Sequence, residues 1–290
     1  MWTLLALLNK AEQFFKDKGI PSPRLEAELL LAHSLAYDRI RLYTDYLRPV
    51  EGEELDRFRD LTLRRSKGEP SAYLTGKKEF FSLPFFVNRH VLIPRPETEE
   101  LVQLVLDHSS TENNGFRIAD IGTGSGCIPI TLLKLRPSLR AVAVDISLQA
   151  LTVAESNARE HGVHDRIRFY NGNLLHPLDE FIDKGERFRF ITCNPPYIDP
   201  GGPWPVDREV ADFEPKEALF TPSGDPTYFY SAVLTNALPL MEPEGLLIFE
   251  LGAGLREPVV AKAERRGWSL SEIRSDLSGI ERVVAFKPCG

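Results

Sequence analysis

The sequence is short of the residues that staple a fold or hold a metal. Its 290 residues include three cysteines, Cys127, Cys193 and Cys289. That is an odd number with no CxxC pair, which argues against a disulfide framework and suits a reducing, cytoplasmic setting. The six histidines, His33, His90, His108, His161, His164 and His176, show no metal-ligand spacing, so no metal is expected. Long apolar runs are missing too. No segment approaches the ~20 residues that span a bilayer, and the opening run from Trp2 to Leu8 lacks the basic flank and small-residue cleavage site of a leader peptide. No membrane association is expected. Basic charge is also in deficit. Lys and Arg number 35 against 42 Asp and Glu, a net charge of -7 with an isoelectric point near 5.5, so no general positive field exists to attract nucleic acid.

What remains is the composition of a folded globular chain, 42% hydrophobic and 27% charged, long enough for one large domain and one small one. The hydropathy changes period between residues 76 and 95. Before that point only helical spacing occurs. Leu4, Leu5, Leu8, Ala11, Phe14 and Phe15 make one stripe, ended by Gly19-Ile20-Pro21. Ser22 then reads as the cap of a second helix, with Pro23 in its first turn and Leu25, Leu29, Leu30, Ala32 and His33 along its face. Shorter helices are expected from Arg39 to Leu47 and from Glu53 to Lys67, so residues 1–75 read as an N-terminal helical bundle. The next stretch has strand character. Glu79-Phe80-Phe81, a turn at Leu83-Pro84, and Phe85-Phe86-Val87 predict a β-hairpin linker over 76–94.

From residue 95 to 290 apolar strands alternate with helical segments. The strands expected are Arg117 to Ile121, Arg140 to Ile146, Ile167 to Asn171, Phe188 to Cys193, Gly245 to Leu251, Trp268 to Arg274 and Arg282 to Lys287. Buried runs separated by helices imply an α/β, Rossmann-like domain: a seven-stranded, mostly parallel sheet with helices on both faces. Ligands bind such sheets beyond the carboxyl ends of the strands, so the strand ends carry the functional information.

The first strand ends in Asp120-Ile-Gly-Thr-Gly-Ser-Gly126. Alternate glycines allow a sharp turn and a close approach of ligand to backbone ahead of a helix starting near Cys127. The spacing is GxGxG, whereas a dinucleotide site prefers GxGxxG. The second strand ends in Ala143-Val144-Asp145, which sets a carboxylate beside the glycine turn where it can accept both hydroxyls of a ribose. Taken together these features indicate a nucleoside-containing cofactor. A plain strand-to-helix turn and a solvated strand-end Asp are the bland alternatives.

The fourth strand runs into Thr192-Cys-Asn-Pro-Pro-Tyr-Ile-Asp-Pro200. Prolines at 195 and 196 remove two amide donors, so this strand end presents acceptors. Acceptors suit an NH2 group. Asn194 Oδ1 and the Pro195 carbonyl can each take one hydrogen of a planar amino group, with the Tyr197 ring as a face for stacking. Hydrogen bonds that strengthen as the nitrogen pyramidalises favour the transition state over the ground state.

These motifs resemble the class I S-adenosylmethionine-dependent methyltransferases that modify planar nitrogens. Further segments resemble the release-factor glutamine methyltransferases, the PrmC/HemK family, in particular. They are Ala72-Tyr-Leu-Thr-Gly76 with Glu79-Phe80, Ile93-Pro-Arg-Pro-Glu-Thr-Glu99, Phe213-Glu-Pro-Lys-Glu-Ala-Leu-Phe220, and Asp276 to Val284. The resemblance implies an enzyme that transfers a methyl group from S-adenosylmethionine to the N5 amide nitrogen of the Gly-Gly-Gln glutamine in class I peptide chain release factors. It implies that Gly122, Thr123, Gly124, Ser125 and Gly126 wrap the amino-acid part of the cofactor and Asp145 its ribose, with Asp120, Ile146, Leu174 and Asn194 in the same set. Asn194, Pro195, Pro196 and Tyr197 would hold the glutamine amide. Where the family carries an acidic residue against the adenine amino group, this sequence has Asn173, which accepts without charge. Arg95 and Glu97 are candidates for closing the site and Phe213 for lining the substrate mouth, against readings as a helix N-terminus and a structural loop.

The nearest alternative is an amino-group methyltransferase acting on adenine or guanine in nucleic acid. Charge counts against it: residues 95–290 carry 20 Lys and Arg against 29 Asp and Glu, while residues 1–94 carry 15 against 13. A nucleotide-dependent oxidoreductase is disfavoured by the glycine spacing, and a non-catalytic adaptor by the intact Asn-Pro-Pro-Tyr. The helical domain reads as a grip on the partner protein, and a monomer is expected.

Overall fold

A computed structural model describes residues 1–109, 115–202, 206–222 and 224–289. The chain forms two compact units. One comprises Met1–Lys77 together with Val206–Phe213, and the other is the remainder from Lys78 onward.

The first unit is helical. Helices α1 (Leu4–Asp17), α2 (Pro23–Leu35), α3 (Arg41–Thr44), α4 (Gly52–Ser66) and α5 (Ser71–Thr75) are joined by a two-residue pairing of β1 (Trp2–Thr3) with β2 (Pro49–Val50). Leu4, Leu8, Phe15, Leu30, Leu31 and Phe58 form the centre of its core. The expected stripe on α1 is largely the buried one, but α2 is rotated from expectation. Its buried positions include Ala27, Leu30, Leu31 and Leu35, whereas Leu25 is exposed. Ser22 occupies the cap position with φ 48°, in the left-handed region, and its side chain makes no capping bond. Pro23 in the first turn starts the helix instead. A helix from far downstream, α10 (Arg208–Phe213), completes this unit. Arg65, buried on α4, bonds Glu26 at 2.6 Å and Glu209 of α10 at 2.9 Å, so a buried guanidinium is neutralised from two directions.

The second unit opens with a hairpin, β3 (Lys77–Phe80) and β4 (Leu83–Phe86). Its turn differs from the expected one. Phe81 and Ser82 have φ 51° and 59°, the two-residue geometry whose twist matches paired strands, and Pro84 lies in β4. Nor is the hairpin a free linker. Phe80 and Phe85 are fully buried in the core of the sheet domain.

That domain continues through a 3-10 turn (Pro96–Thr98), α6 (Glu99–His108), β5 (Arg117–Ile121), α7 (Cys127–Leu135), β6 (Arg140–Asp145), α8 (Leu148–Glu160), β7 (Ile167–Asn171), α9 (Asp179–Asp183), β8 (Phe188–Cys193), α11 (Tyr228–Asn236), β9 (Met241–Glu250), α12 (Arg256–Glu264), β10 (Trp268–Ser275) and β11 (Glu281–Pro288). The sheet order is β10-β11-β9-β8-β5-β6-β7. β5 pairs in parallel with β6 and β8, β6 with β7, and β8 with β9, while β11 is antiparallel to both neighbours. The seven expected strands are all present, with β9 starting four positions early at Met241. Alternation along the strands divides the core. Ile118, Phe190 and Ile248 face α6, α7 and the hairpin, and Ile191, Leu247 and Phe249 face α11 and α12. β5, β6 and β8 thereby end side by side, at the point where strand order reverses on either side of β5.

Candidate active site

A cavity of about 320 Å³ opens at these carboxyl ends, lined by residues of the β5–α7 loop, the ends of β6 and β8, and the segment following β7. The β5–α7 loop is its floor. The amides of Gly122 and Thr123 donate to the Val144 carbonyl at 2.8 and 3.0 Å, which turns the chain back over β6. Gly122, Gly124 and Gly126 all have positive φ, a conformation that costs other residues free energy. Gly126 is also closely packed. A Cβ there would lie 2.8 Å from Ile130 Cδ1 and 3.2 Å from Ala154 Cβ.

Asp145 ties the loop to β6. Its Oδ2 accepts the Gly124 amide at 2.8 Å and its Oδ1 the Ser147 amide at 2.9 Å, and each oxygen keeps capacity for a further donor. Burial pushes its carboxyl above the usual range, partly offset by those two amides. Ile146, largely exposed, and Asn173 and Leu174 form the adjoining wall. Asn171 Nδ2 holds the Asp145 and Ile146 carbonyls at 3.1 and 2.8 Å.

Asp120 lies beneath this floor and does not line the cavity. It is buried, its Oδ1 accepts the Thr192 hydroxyl at 2.7 Å, and burial pushes its carboxyl up to about 6. Among the described residues, Asp120 Oδ2, Thr123 Oγ1 and Ser125 Oγ are buried without a close hydrogen bond, although the Thr123 hydroxyl is near enough to Asp120, and the Ser125 hydroxyl to Cys127, to favour their charged forms. Buried oxygens without a close bond are costly unless a ligand or water supplies one.

At the end of β8, Asn194, Pro195 and Pro196 line the cavity. Asn194 Nδ2 donates to Glu250 Oε2 at 2.9 Å and points to Thr98 Oγ1 at 3.4 Å. The Thr98 hydroxyl donates to the same Glu250 oxygen at 2.5 Å. Glu250, at the end of β9, is fully buried, and burial pushes it up to about 7. The Tyr197 ring lies outside the cavity, against Gly252, where an added Cβ would sit 2.7 Å from Tyr197 Cδ2. Burial pushes its phenol up to about 12.

Arg95 lines the cavity, but its guanidinium is held by buried Glu214 at 2.5 Å. Glu214 also accepts the Ile93 amide at 3.1 Å, so the pair fixes the Ile93-Pro94-Arg95 segment. Glu97 lies in the 3-10 turn before α6 and does not border the cavity. Phe213 ends α10 in the helical unit, with its ring beside Gly68.

Several residues of consequence carried little sequence signal. Glu250 is the lone acid of the apolar run Gly245 to Leu251, a cue visible only once β9 is known to lie beside β8. Asn157 of α8 accepts the Phe86 amide at 2.8 Å and donates to the Phe86 and Ser125 carbonyls at 3.0 and 2.9 Å, so one buried amide fastens the hairpin to the glycine loop. His161 Nε2 is 2.8 Å from the Pro84 carbonyl.

A parallel sheet with a glycine loop after its first strand and Asn-Pro-Pro at the end of the fourth is a methyltransferase fold. The structure is similar to a methyltransferase from Pyrococcus furiosus (TM-score 0.51, 17% identity, 72% of this chain and 91% of that one). It is also similar to the Mettl16 catalytic domain solved with a MAT2A 3′UTR hairpin (TM-score 0.56, 16% identity, 81% of each). The methyltransferase small domain family matches residues 98–202 and the PrmC N-terminal domain family residues 6–76. Full-length relatives are nearer. Release factor glutamine methyltransferase of Leptospira interrogans serogroup Icterohaemorrhagiae serovar Lai is 39% identical over 97% of both chains. That of Nitratidesulfovibrio vulgaris is 38% identical over 97% of this chain and 94% of its own, and that of Chlorobaculum tepidum 40% over 87% and 86%. The chain belongs to the release factor glutamine methyltransferase family.

Proposed function

We propose that the protein transfers the methyl group of S-adenosylmethionine to the side-chain amide nitrogen of the Gly-Gly-Gln glutamine in class I peptide chain release factors, in the cytoplasm. The observation that carries this reading is Asn194 at the mouth of β8, its NH2 turned to Glu250 and Thr98 and its Oδ1 with no donor among the described residues. An acceptor so placed receives an NH2 group.

The cavity suits the methyl donor. Asp145 has capacity for two ribose hydroxyls, Thr123 and Ser125 line the cavity in the loop that would hold the amino-acid end, and Ile146, Asn173 and Leu174 form a wall for the adenine. When bound, the sulfonium supplies an activated methyl group, so the chain needs no covalent nucleophile. Its residues act by placement. Asn194 Oδ1 and the Pro195 carbonyl orient the amide NH2, and their hydrogen bonds strengthen as that nitrogen loses conjugation, which lowers the barrier. The bound donor would supply the methyl group to the amide nitrogen as its own sulfur–methyl bond breaks, and the proton then lost from that nitrogen would pass to water. The apolar walls keep water from competing for the methyl group.

Labelled S-adenosylmethionine offered with intact release factor, with the factor carrying Gln→Ala in its Gly-Gly-Gln, or with bulk RNA or DNA tests this. Label on the intact factor alone is expected. Label on nucleic acid and none on the factor would keep the amino-group site and replace its substrate.

A further inference from the structure

We infer that Glu250 and Thr98 are positioning residues that fix which way the Asn194 amide faces. This rests on the proposed amide-binding role of Asn194. Its Nδ2 lies 2.9 Å from Glu250 Oε2 and 3.4 Å from Thr98 Oγ1, and the Thr98 hydroxyl is itself spent on Glu250 Oε2 at 2.5 Å, so one N–H is shared between two adjacent oxygens and turns the nitrogen toward this pair. Rotating the amide by half a turn would set Asn194 Oδ1 against a carboxylate oxygen and aim its NH2 at the cavity. An ionised Glu250 forbids that state, because two acceptors would face each other in a buried site. A neutral Glu250 allows it, since the acid can donate to Oδ1. Ionisation of Glu250 therefore decides whether the cavity meets a substrate NH2 with an acceptor or with a second donor.

Glu250 is placed to titrate in the working range. Burial pushes it up to about 7, with Glu97 raising it and the Thr98 hydroxyl, Arg282 and Arg95 pulling it down. The Glu250 charge in turn raises Tyr197, Tyr230, Cys127 and Cys193. All have pKa values raised to about 12 or well above their ordinary values, so they stay neutral while Glu250 changes. Tyr230 contributes structurally, donating its hydroxyl to the Glu250 carbonyl at 2.9 Å.

The test follows the 15N side-chain amide signal of Asn194, assigned by its loss in Asn194→Ala, from pH 5.5 to 8.5 in the full chain, beside the single-turnover rate on intact release factor. In the wild type the signal is expected to move with a midpoint near 7, and the rate to fall below that pH. In Glu250→Gln the signal stays still, the rate drops about tenfold and its acid limb disappears, with the melting temperature at pH 8 undiminished. Thr98→Val removes a bond that holds Glu250 ionised, so both midpoints move to higher pH. That variant carries the test should Glu250→Gln fail to fold. An Asn194 signal that does not move in the wild type, together with full activity in Glu250→Gln and an unmoved pH midpoint of the rate in Thr98→Val, would overturn the inference and leave the glutamine reading standing. A titrating signal with no transfer to the factor would uphold the inference and remove the substrate.

Discussion

Asn194 must be short, neutral and amide-bearing at once. Its nitrogen satisfies a buried carboxylate, and on the proposed function its oxygen serves the substrate. Asn194→Ala loses both functions, and kcat is expected to fall about 10²–10³-fold with little change in donor binding. Asn194→Asp keeps an oxygen but sets a second carboxylate against Glu250, so at pH 8 its rate should fall as far. Single-turnover rates of the two variants check this, and either one within a few-fold of wild type would remove Asn194 from the chemistry. At this scale the sequence was informative where chemistry is local. Asn-Pro-Pro at a strand end announces its acceptors without any structure. Glu250 and Asn157 announce nothing, because their roles depend on partners 56 residues away in one case and 71 and 32 in the other. Tyr197 reads in the sequence as a face for stacking the substrate, whereas its ring packs on Gly252 outside the cavity.

Among the elements, the glycine loop carries the sharpest contrast. Gly126→Ala combines a left-handed φ of 78° with a Cβ 2.8 Å from Ile130, and should cost about 2–4 kcal/mol of stability. Gly124→Ala has φ 54° and open space around it, so about 1 kcal/mol is expected. Denaturant unfolding of both variants checks the order, and equal losses would mean that the Ile130 and Ala154 contacts do not constrain the loop. The strands were readable because parallel strands buried on both faces leave unbroken apolar runs, as in Ala141 to Val144. The hairpin turn was misread. Pro84 looked like punctuation, yet two non-glycine residues, Phe81 and Ser82, take up positive φ, and their neighbours Phe80 and Phe85 repay that strain by burial in the sheet core.

For the whole molecule, the two buried carboxylates act in the same direction. Glu250 has a folded pKa of about 7 against an ordinary 4.5, and Asp120 about 6 against 3.8. Folding thus favours their neutral forms, and the stability they contribute is complete below their ordinary values and is lost as pH rises through 6 to 7. The melting temperature should fall between pH 5 and 8, and Glu250→Gln should flatten the upper part of that fall by about 1–3 kcal/mol. Scanning calorimetry across that range decides it. The helical unit carries a separate prediction. A glutamine in a glycine-rich loop offers little surface, so we propose that the helical unit grips the factor elsewhere and supplies affinity. Removing residues 1–77 should leave donor binding within a few-fold and lower kcat/KM on intact factor about 10²-fold. The two units were visible in the sequence as a change of period, but the return of α10 to the first unit was not, since Arg65 and Glu209 meet across more than a hundred residues of the other unit.

The most direct measurement of the central claim is the position of the transferred methyl group. Intact release factor, methylated in a single turnover by the wild type and by Asn194→Ala, would be digested and the Gly-Gly-Gln peptide fragmented by tandem mass spectrometry. A single methyl on the glutamine side-chain nitrogen with the wild type, absent on the same timescale with Asn194→Ala, is the result expected. A methyl on any other residue, or the same glutamine product at an unchanged rate from Asn194→Ala, would contradict the account.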